Sequence, residues 1–207
     1  MKSSKKFIAI ILLGRPGSGK DTQAELLAKK FGLVHIISSK LIRQAIYSKE
    51  KILQIEGHKI DIEEERQRFH DGRLTTFVFV SALIKREVRK IASRKRGVIM
   101  SASPRSLTEL KLELPLLHKL YSDKVFIFHV HISPEEVYVR NLKRHRKDLP
   151  ELDTRKVIKK RLDAFNRYTL PVIKLLEKQK KSVFINGEQP ITKIHRNIIK
   201  TLLPKLK

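Results

Sequence analysis

Nine residues, GRPGSGKDT at positions 14–22, set three glycines, a lysine and a hydroxyl at a spacing that suits the holding of a polyphosphate. Gly14, Gly17 and Gly19 let the backbone turn tightly enough for successive N–H groups to converge on an anion. Lys20 opens a helical segment, DTQAELLAKKF, and adds its ammonium to the positive end of that helix. Thr22 offers a hydroxyl to a bound phosphate and to magnesium. A glycine-rich loop can turn without holding any ligand. Here the lysine, and the position between an apolar run and a helix, point to phosphate.

The elements that would position this loop are legible as alternating apolar runs and helical stretches. FIAIILL (7–13), VHII (34–37), GVIMSA (97–102), KVFIFHVHI (124–132) and SVFI (182–185) are short and rich in β-branched and aromatic residues. They predict buried strands of a parallel sheet. SLTELKLELPLLHKLY, PEEVYVRNLKRHR and TRKVIKKRLDAFNRYTLPVIKLLEKQ predict helices between them. SPEE (133–136) is a helix start, with Ser133 as N-cap, Pro134 in the first turn and Glu136 closing a capping box. The alternation implies right-handed βαβ units that bind ligands at the carboxyl ends of the strands. Two stretches break the rhythm: residues 38–75, predicted polar and helical with no strand, and HRKDLPELDT (145–154), a short polar loop between helices. Both are expected to fold over a site at the sheet edge.

The bulk composition narrows the class. The 207 residues include 46 Lys+Arg and 21 Asp+Glu, a formal charge of +25, with 41% hydrophobic and 32% charged residues. A field of that sign draws anions, whether nucleotides, RNA or acidic membranes. The absence of cysteine excludes disulfides and a thiolate nucleophile. No apolar run reaches the roughly 18 residues of a membrane span, so no membrane-spanning helix is expected; the compartment is taken as cytoplasmic by default, and a monomer is expected. The start, MKSSKKFIAIILLG, has a basic and then an apolar part, yet it leads directly into the glycine loop and reads as a first strand. His129 and His131 alternate on FHVHI and are expected to be structural rather than metal ligands. RKR (94–96) and the tail KTLLPKLK contain almost no aromatic residues for base stacking and are expected to be solvated ends.

GRPGSGKDTQAELLAKKFGLVHI resembles the opening of the adenylate kinase and nucleoside-monophosphate kinase family, whose loop reads G-x-P-G-x-G-K-G-T-Q. The resemblance continues in order. SSKLIRQAI is similar to S-T-G-D-x-L-R, DGRLT to the G-x-L-V stretch and SPRSLTE to D-G-F-P-R-x-x-x-Q. RNLKRHR and VIKKRLDAFNRYTLPVI resemble the helices on either side of the lid. The fold it implies is α/β, a P-loop NTPase-type three-layer fold with a five-stranded parallel sheet. One domain is expected, its core at 1–37, 77–144 and 155–207, with a helical monophosphate-binding excursion at 38–76 and a short lid at 145–154.

The same resemblance implies ATP and Mg2+, with Gly14, Pro16, Gly17, Ser18, Gly19, Lys20, Asp21 and Thr22 around the ATP phosphates and Thr22 toward the metal. It puts Arg144 on the phosphates with Lys20, and Arg140 on the adenine. It puts Ser38, Arg43, Leu74, Arg105 and Glu109 on the acceptor monophosphate, with Arg161 bridging donor and acceptor. Lys20, Arg105, Arg144 and Arg161 would be the catalytic set. Such a reaction brings two polyanions together and spreads charge over the transferring oxygens, which planar guanidinium groups neutralise and align.

Several positions depart from the family pattern. Ser101 and Lys40 replace aspartates, Glu109 replaces a glutamine and Asp21 a glycine, and the expected lid arginine falls on Pro150, with Arg146 as a substitute. The lid's acidic pair is reduced to Asp148 and Asp153. The leading expectation is phosphoryl transfer from ATP to a nucleoside monophosphate. The alternatives are a catalytically weak nucleotide-binding protein that engages RNA or an acidic partner, and a kinase for another small acceptor.

Overall fold

A computed structural model describes residues 7–55, 58–71, 73–143 and 154–206. Its centre is a five-stranded sheet in the order β2-β5-β1-β6-β7, with every pairing parallel. The strands are β1 (Ala9–Leu13), β2 (Val34–Ile36), β5 (Val98–Met100), β6 (Val125–His131) and β7 (Ser182–Asn186). All five fall on the apolar runs read from the sequence. β1 lies in the middle because each of its five residues is apolar and buried on both faces. Its neighbours are held in register, Ile11 opposite Met100 on one side and Ile127 on the other.

Alternating side chains of the sheet feed two cores. Ile11, Leu13 and Met100 pack with Val88, Leu117, Tyr121 and Val172, which come from α4 (Phe77–Ser93), α5 (Leu107–Tyr121) and α8 (Leu170–Lys178). Ile10 and Leu12 pack on the other face with Leu27 of α1 (Lys20–Phe31) and with Ile194 and Ile198 of α9 (Ile191–Leu202). These three layers are the architecture the sequence predicts. The tail also joins the core, because Leu202 is fully buried while Lys200 and Lys205 face outward. Among the described residues no helix is long and apolar enough to cross a membrane.

The excursion corrects one expectation. Between α2 (Ser38–Ile46) and α3 (Ile62–His70) the chain forms an antiparallel hairpin, β3 (Ile52–Ile55) with β4 (His58–Asp61), where no strand was expected. Leu53 is buried against Ala45, Ile46 and Ile62, and its cross-strand partner Ile60 packs half-buried on the same cluster, so the two anchor the hairpin. Asp61 ends it and caps α3, its carboxylate accepting from the N–H groups of Glu63 and Glu64. The chain returns to the core at Thr76, the N-cap of α4, whose N–H and hydroxyl both donate to the buried Glu65.

A second correction concerns α6 (Pro134–Leu142). Ser133 caps it as expected, accepting from the Glu136 N–H, but Glu136 does not close the box. Its carboxylate takes the Arg140 Nε one turn later at 2.6 Å, a charge-assisted bond that outcompetes a neutral backbone donor. The Ser133 N–H is satisfied by Glu188 instead, at 2.7 Å. The last long helical stretch is divided in two: α7 (Arg155–Ala164) passes through a π-helical segment, Phe165–Thr169, before α8. Pro171 brings no N–H to the first turn of α8, and the wider turn just before it accommodates that missing donor.

Candidate functional site

The glycine loop leaves the carboxyl end of β1 and closes on itself, Ser18 N–H donating to the Arg15 carbonyl at 3.1 Å. Gly17 and Gly19 both sit at φ 82°, where a side chain is strained. Space is also limiting, since a Cβ on Gly17 would stand 2.5 Å from Asn141 Nδ2 and one on Gly14 2.3 Å from the Val130 carbonyl. Gly19 caps α1, and Lys20 begins it, its Nζ 3.4 Å from the Arg15 carbonyl. The Ser18 hydroxyl is enclosed with no hydrogen-bond partner among the described residues. Asp21 and Thr22 are exposed in the first turn of α1. Converging N–H groups, a helix N-terminus and an ammonium together make an anion cradle.

Two residues that sequence reading missed hold this loop. Asn141 is 1% exposed, and its amide donates to the Val137 carbonyl at 2.7 Å and to the Pro16 carbonyl at 3.3 Å. The signal was a polar residue one turn after Val137 on the buried face of an amphipathic helix. Arg15 runs the other way, donating to the Ile132 carbonyl at 2.6 Å with its guanidinium 5.5 Å from the Phe165 ring centre. It ties the loop to the end of β6 and to the π-helical segment. Losing the bond from Asn141 to Pro16 is expected to loosen the cradle by about 1 kcal/mol. Asn141→Ala should therefore raise the KM for ATP about fivefold with a smaller change in kcat, read from steady-state kinetics.

Beside the loop is a cleft of about 560 Å³ whose wall includes Gly17, Thr22, Arg140, Gln189 and Ile191. That volume suits a small-molecule ligand. Arg140 is half-buried and held by Glu136, so its flat cation forms part of the wall. Gln23, also unanticipated, fixes the opposite wall, its amide donating to the Ile191 carbonyl at 2.9 Å. His195 Nδ1 lies 3.2 Å from Gln23 Oε1.

The second half of the site follows β5, the neighbour of β1. Arg105 is exposed; its Nε donates to the Ala102 carbonyl at 2.7 Å, and a terminal nitrogen lies 3.4 Å from the Ser38 hydroxyl at the start of α2. Ser38 and Arg105 are thus brought together. Arg43 is exposed in the last turn of the same helix, and Leu74 is exposed in the irregular segment between α3 and α4. Thr169 donates to the Arg105 carbonyl at 2.9 Å and so links the π-helical segment to this turn. Arg161 is half-buried on α7. Arg144, Arg146, Asp148, Pro150 and Asp153, with residues 145–153 of the lid, lie outside the described residues.

Glu109 is turned inward. It is fully buried, and its carboxylate accepts from the Arg105 N–H and from the Ser103 hydroxyl. One turn later Glu113, 1% exposed, lies 2.9 Å from the same Ser103 hydroxyl and 3.0 Å from the Ser81 hydroxyl. Burial, and then the charge of Glu109, push the Glu113 carboxyl up to about 8. Burial raises Glu109 as well, against the pull of Arg105 and Ser103. Ser101, where the resemblance leads one to expect an aspartate, is buried and lies 2.8 Å from His35 Nε2. Burial holds that imidazole below its ordinary pKa. Further along the sheet, His129 Nδ1 meets Glu177 at 2.8 Å and its ring packs on Phe184. Among the described residues no three His, Cys, Asp or Glu side chains group as a metal site.

These features can be set beside known proteins. The family model described as adenylate kinase matches residues 12–181. Adenylate kinase 1 of Nostoc sp. is 30% identical over 194 residues, covering 93% of this chain and 97% of that protein. Adenylate kinase of Parabacteroides distasonis is 26% identical over 91% of this chain and 94% of its own. UMP-CMP kinase 1 of rice is 26% identical over 94% of this chain and 73% of its own length. The loop, the Arg105 turn and the helix that carries Arg161 all lie within the matched span. The chain belongs to the adenylate kinase family.

Proposed function

We propose that this chain passes the γ-phosphoryl group of ATP to a nucleoside monophosphate, yielding ADP and a nucleoside diphosphate, with AMP as the best acceptor. The observation that carries the reading is topological. β1 and β5 are adjacent and parallel, with Ile11 opposite Met100, so the phosphate cradle and the Arg105–Ser38 junction leave the same edge side by side. An acceptor phosphate between them would face the end of the bound triphosphate.

The loop N–H groups and Lys20 hold the β- and γ-phosphates, and the cleft beside Arg140 takes the adenosine. Arg105, Arg43 and Ser38 orient the acceptor phosphate, while Leu74 lines the acceptor side. An oxygen of that phosphate attacks the γ-phosphorus as the bond to the β-phosphate oxygen breaks, and ADP leaves. The acceptor phosphate is already ionised, so no protein base is needed. Arg161 and Arg144 compensate the charge shared by donor and acceptor in the transition state. Glu109 acts through the backbone of Arg105 rather than on the base. Thr22 would hold magnesium together with the phosphate oxygens, and the ion would supply charge neutralisation there. Residues 38–76 would form the acceptor-binding element, and its approach to the loop would exclude water, so that the phosphoryl group reaches the acceptor.

The test is turnover of purified protein with magnesium–ATP against AMP, dAMP, CMP, UMP and GMP. AMP should give the highest kcat/KM. A preference for CMP or UMP would overturn the choice of acceptor, and silence with every monophosphate would overturn the reaction.

A further inference from the structure

We propose that the edge of the sheet opposite the nucleotide site docks the phosphate backbone of a nucleic-acid duplex. All five strands run the same way, so the four turns that lead from a helix into a strand gather at one edge, and the glycine loop leaves the other. Those turns read KKFGL (29–33), RKRG (94–97), KLYSDK (119–124) and KQKK (178–181). Together they carry ten Lys or Arg residues and one carboxylate, Asp123. The first three are joined by hydrogen bonds, and the fourth leads into β7, which pairs beside β6. Arg96 donates to the Gly32 carbonyl at 3.2 Å, Tyr121 to the Arg96 carbonyl at 3.1 Å and Ala9 to the Lys124 carbonyl at 2.9 Å. Five strands at a spacing of about 4.8 Å make this edge a ledge about 19 Å long.

Ordinary helix chemistry does not account for this charge. The helix dipole favours a cation in the last helical turn, whereas Arg94, Lys95, Lys124, Lys180 and Lys181 lie beyond the helix ends and are exposed. None of these five is in an ion pair with another described residue. Lys95 and Lys180 also adopt left-handed backbone, φ 51° and 54°, at the kind of position where helices usually end in glycine. The chain keeps a lysine at both places against that backbone preference.

The partner's class follows from what the ledge lacks. Its one exposed aromatic ring, Phe7, packs on Tyr121 at 4.7 Å between ring centres, which leaves no free platform for unpaired bases. It also offers no aromatic anchor of the kind that dominates protein interfaces. A set of exposed cations along one sheet edge, without stacking groups, fits the phosphates of a duplex, read without regard to sequence. The sequence reading of RKR as a solvated end saw one segment; the fold adds the other three turns beside it. This inference is independent of the kinase reading, since docking on this edge leaves the nucleotide edge open.

The test is fluorescence anisotropy with a labelled RNA duplex of roughly 20–30 base pairs, titrated between about 50 and 200 mM salt. Binding should weaken steeply with salt. Arg94→Glu/Lys95→Glu/Lys180→Glu/Lys181→Glu should lose at least about tenfold in affinity, and its log–log salt slope should flatten by about 0.9 for each contact removed. Its phosphoryl-transfer kcat should be unchanged, which also reports an intact fold. A matched variant, Lys49→Glu/Lys51→Glu/Lys111→Glu/Lys174→Glu, should keep duplex affinity. Equal losses in the two variants would mean that only net charge matters and would overturn the docking edge. No binding at the lowest salt, or tighter binding to phosphatidylserine vesicles than to the duplex, would overturn the partner.

Discussion

Lys20→Ala should lower kcat for phosphoryl transfer by about a hundred- to a thousandfold, the scale seen when one preorganised charge is removed from a developing oxyanion, and should leave the melting temperature within about 2 °C of the parent. The reason lies in where the side chain is. Lys20 is half-buried at the first position of α1 and reaches toward the mouth of the cradle, 3.4 Å from the Arg15 carbonyl. Alanine keeps the helix, and the turn is set by Gly17, Gly19 and the bond from Ser18 to Arg15, none of which requires the ammonium. The loss should therefore be one of charge at the transferring group. Rapid quench kinetics and a thermal melt on the same preparation separate the two effects. Undiminished turnover in the variant would mean that this loop does not hold the transferred phosphate.

The second large effect is on stability. Glu113 is enclosed between α4, α5 and the turn after β5, and its carboxyl is raised from 4.5 to about 8 in the fold. A carboxyl raised on folding makes the native state bind the proton more tightly, so its stabilisation is complete below about pH 4.5 and is lost as the pH rises to about 8. The full span corresponds to about 4–5 kcal/mol. Glu109 is raised by the same burial and repels Glu113, so the two carboxyls titrate as a pair. Glu113→Gln keeps an acceptor for Ser81 and Ser103 but carries no charge at any pH. The parent should lose stability in urea melts between about pH 5 and 8, and the variant should lose much less, becoming the more stable of the two near pH 9. A parent whose stability stays flat across that range would contradict a buried, proton-holding Glu113.

Much of this architecture was legible because the signals are local. The five strands are short β-branched runs, the cradle is a contiguous motif, and Ser133 with Pro134 marks a helix start within four residues. The hairpin at 52–61 was not legible, because its inward residues Leu53 and Ile60 meet only once the chain has turned, and the sequence between them mixes polar and apolar residues without a clean alternation. α4 is less legible for a different reason: FVFVSALI at its start is apolar on nearly every side, and the stripe of Ile84, Val88 and Ile91 emerges only toward its end. The residues that stiffen the site depend on distant partners. Asn141 meets Pro16 across 125 positions, Arg15 meets Ile132 across 117, and Glu113 meets Ser81 across 32. Glu109 shows the limit of motif matching, since its place in the pattern implies an acceptor base while its carboxylate supports the Arg105 turn.

The central claim is that the phosphoryl group goes from nucleotide to nucleotide, and the most direct measurement follows the group itself. ATP labelled in its γ-phosphate is mixed with AMP, magnesium and the protein, quenched within one turnover, and the products are separated. Label should appear in the β-phosphate of newly formed ADP, with little free phosphate. Label released as inorganic phosphate, or left in ATP while AMP stays bound, would contradict it.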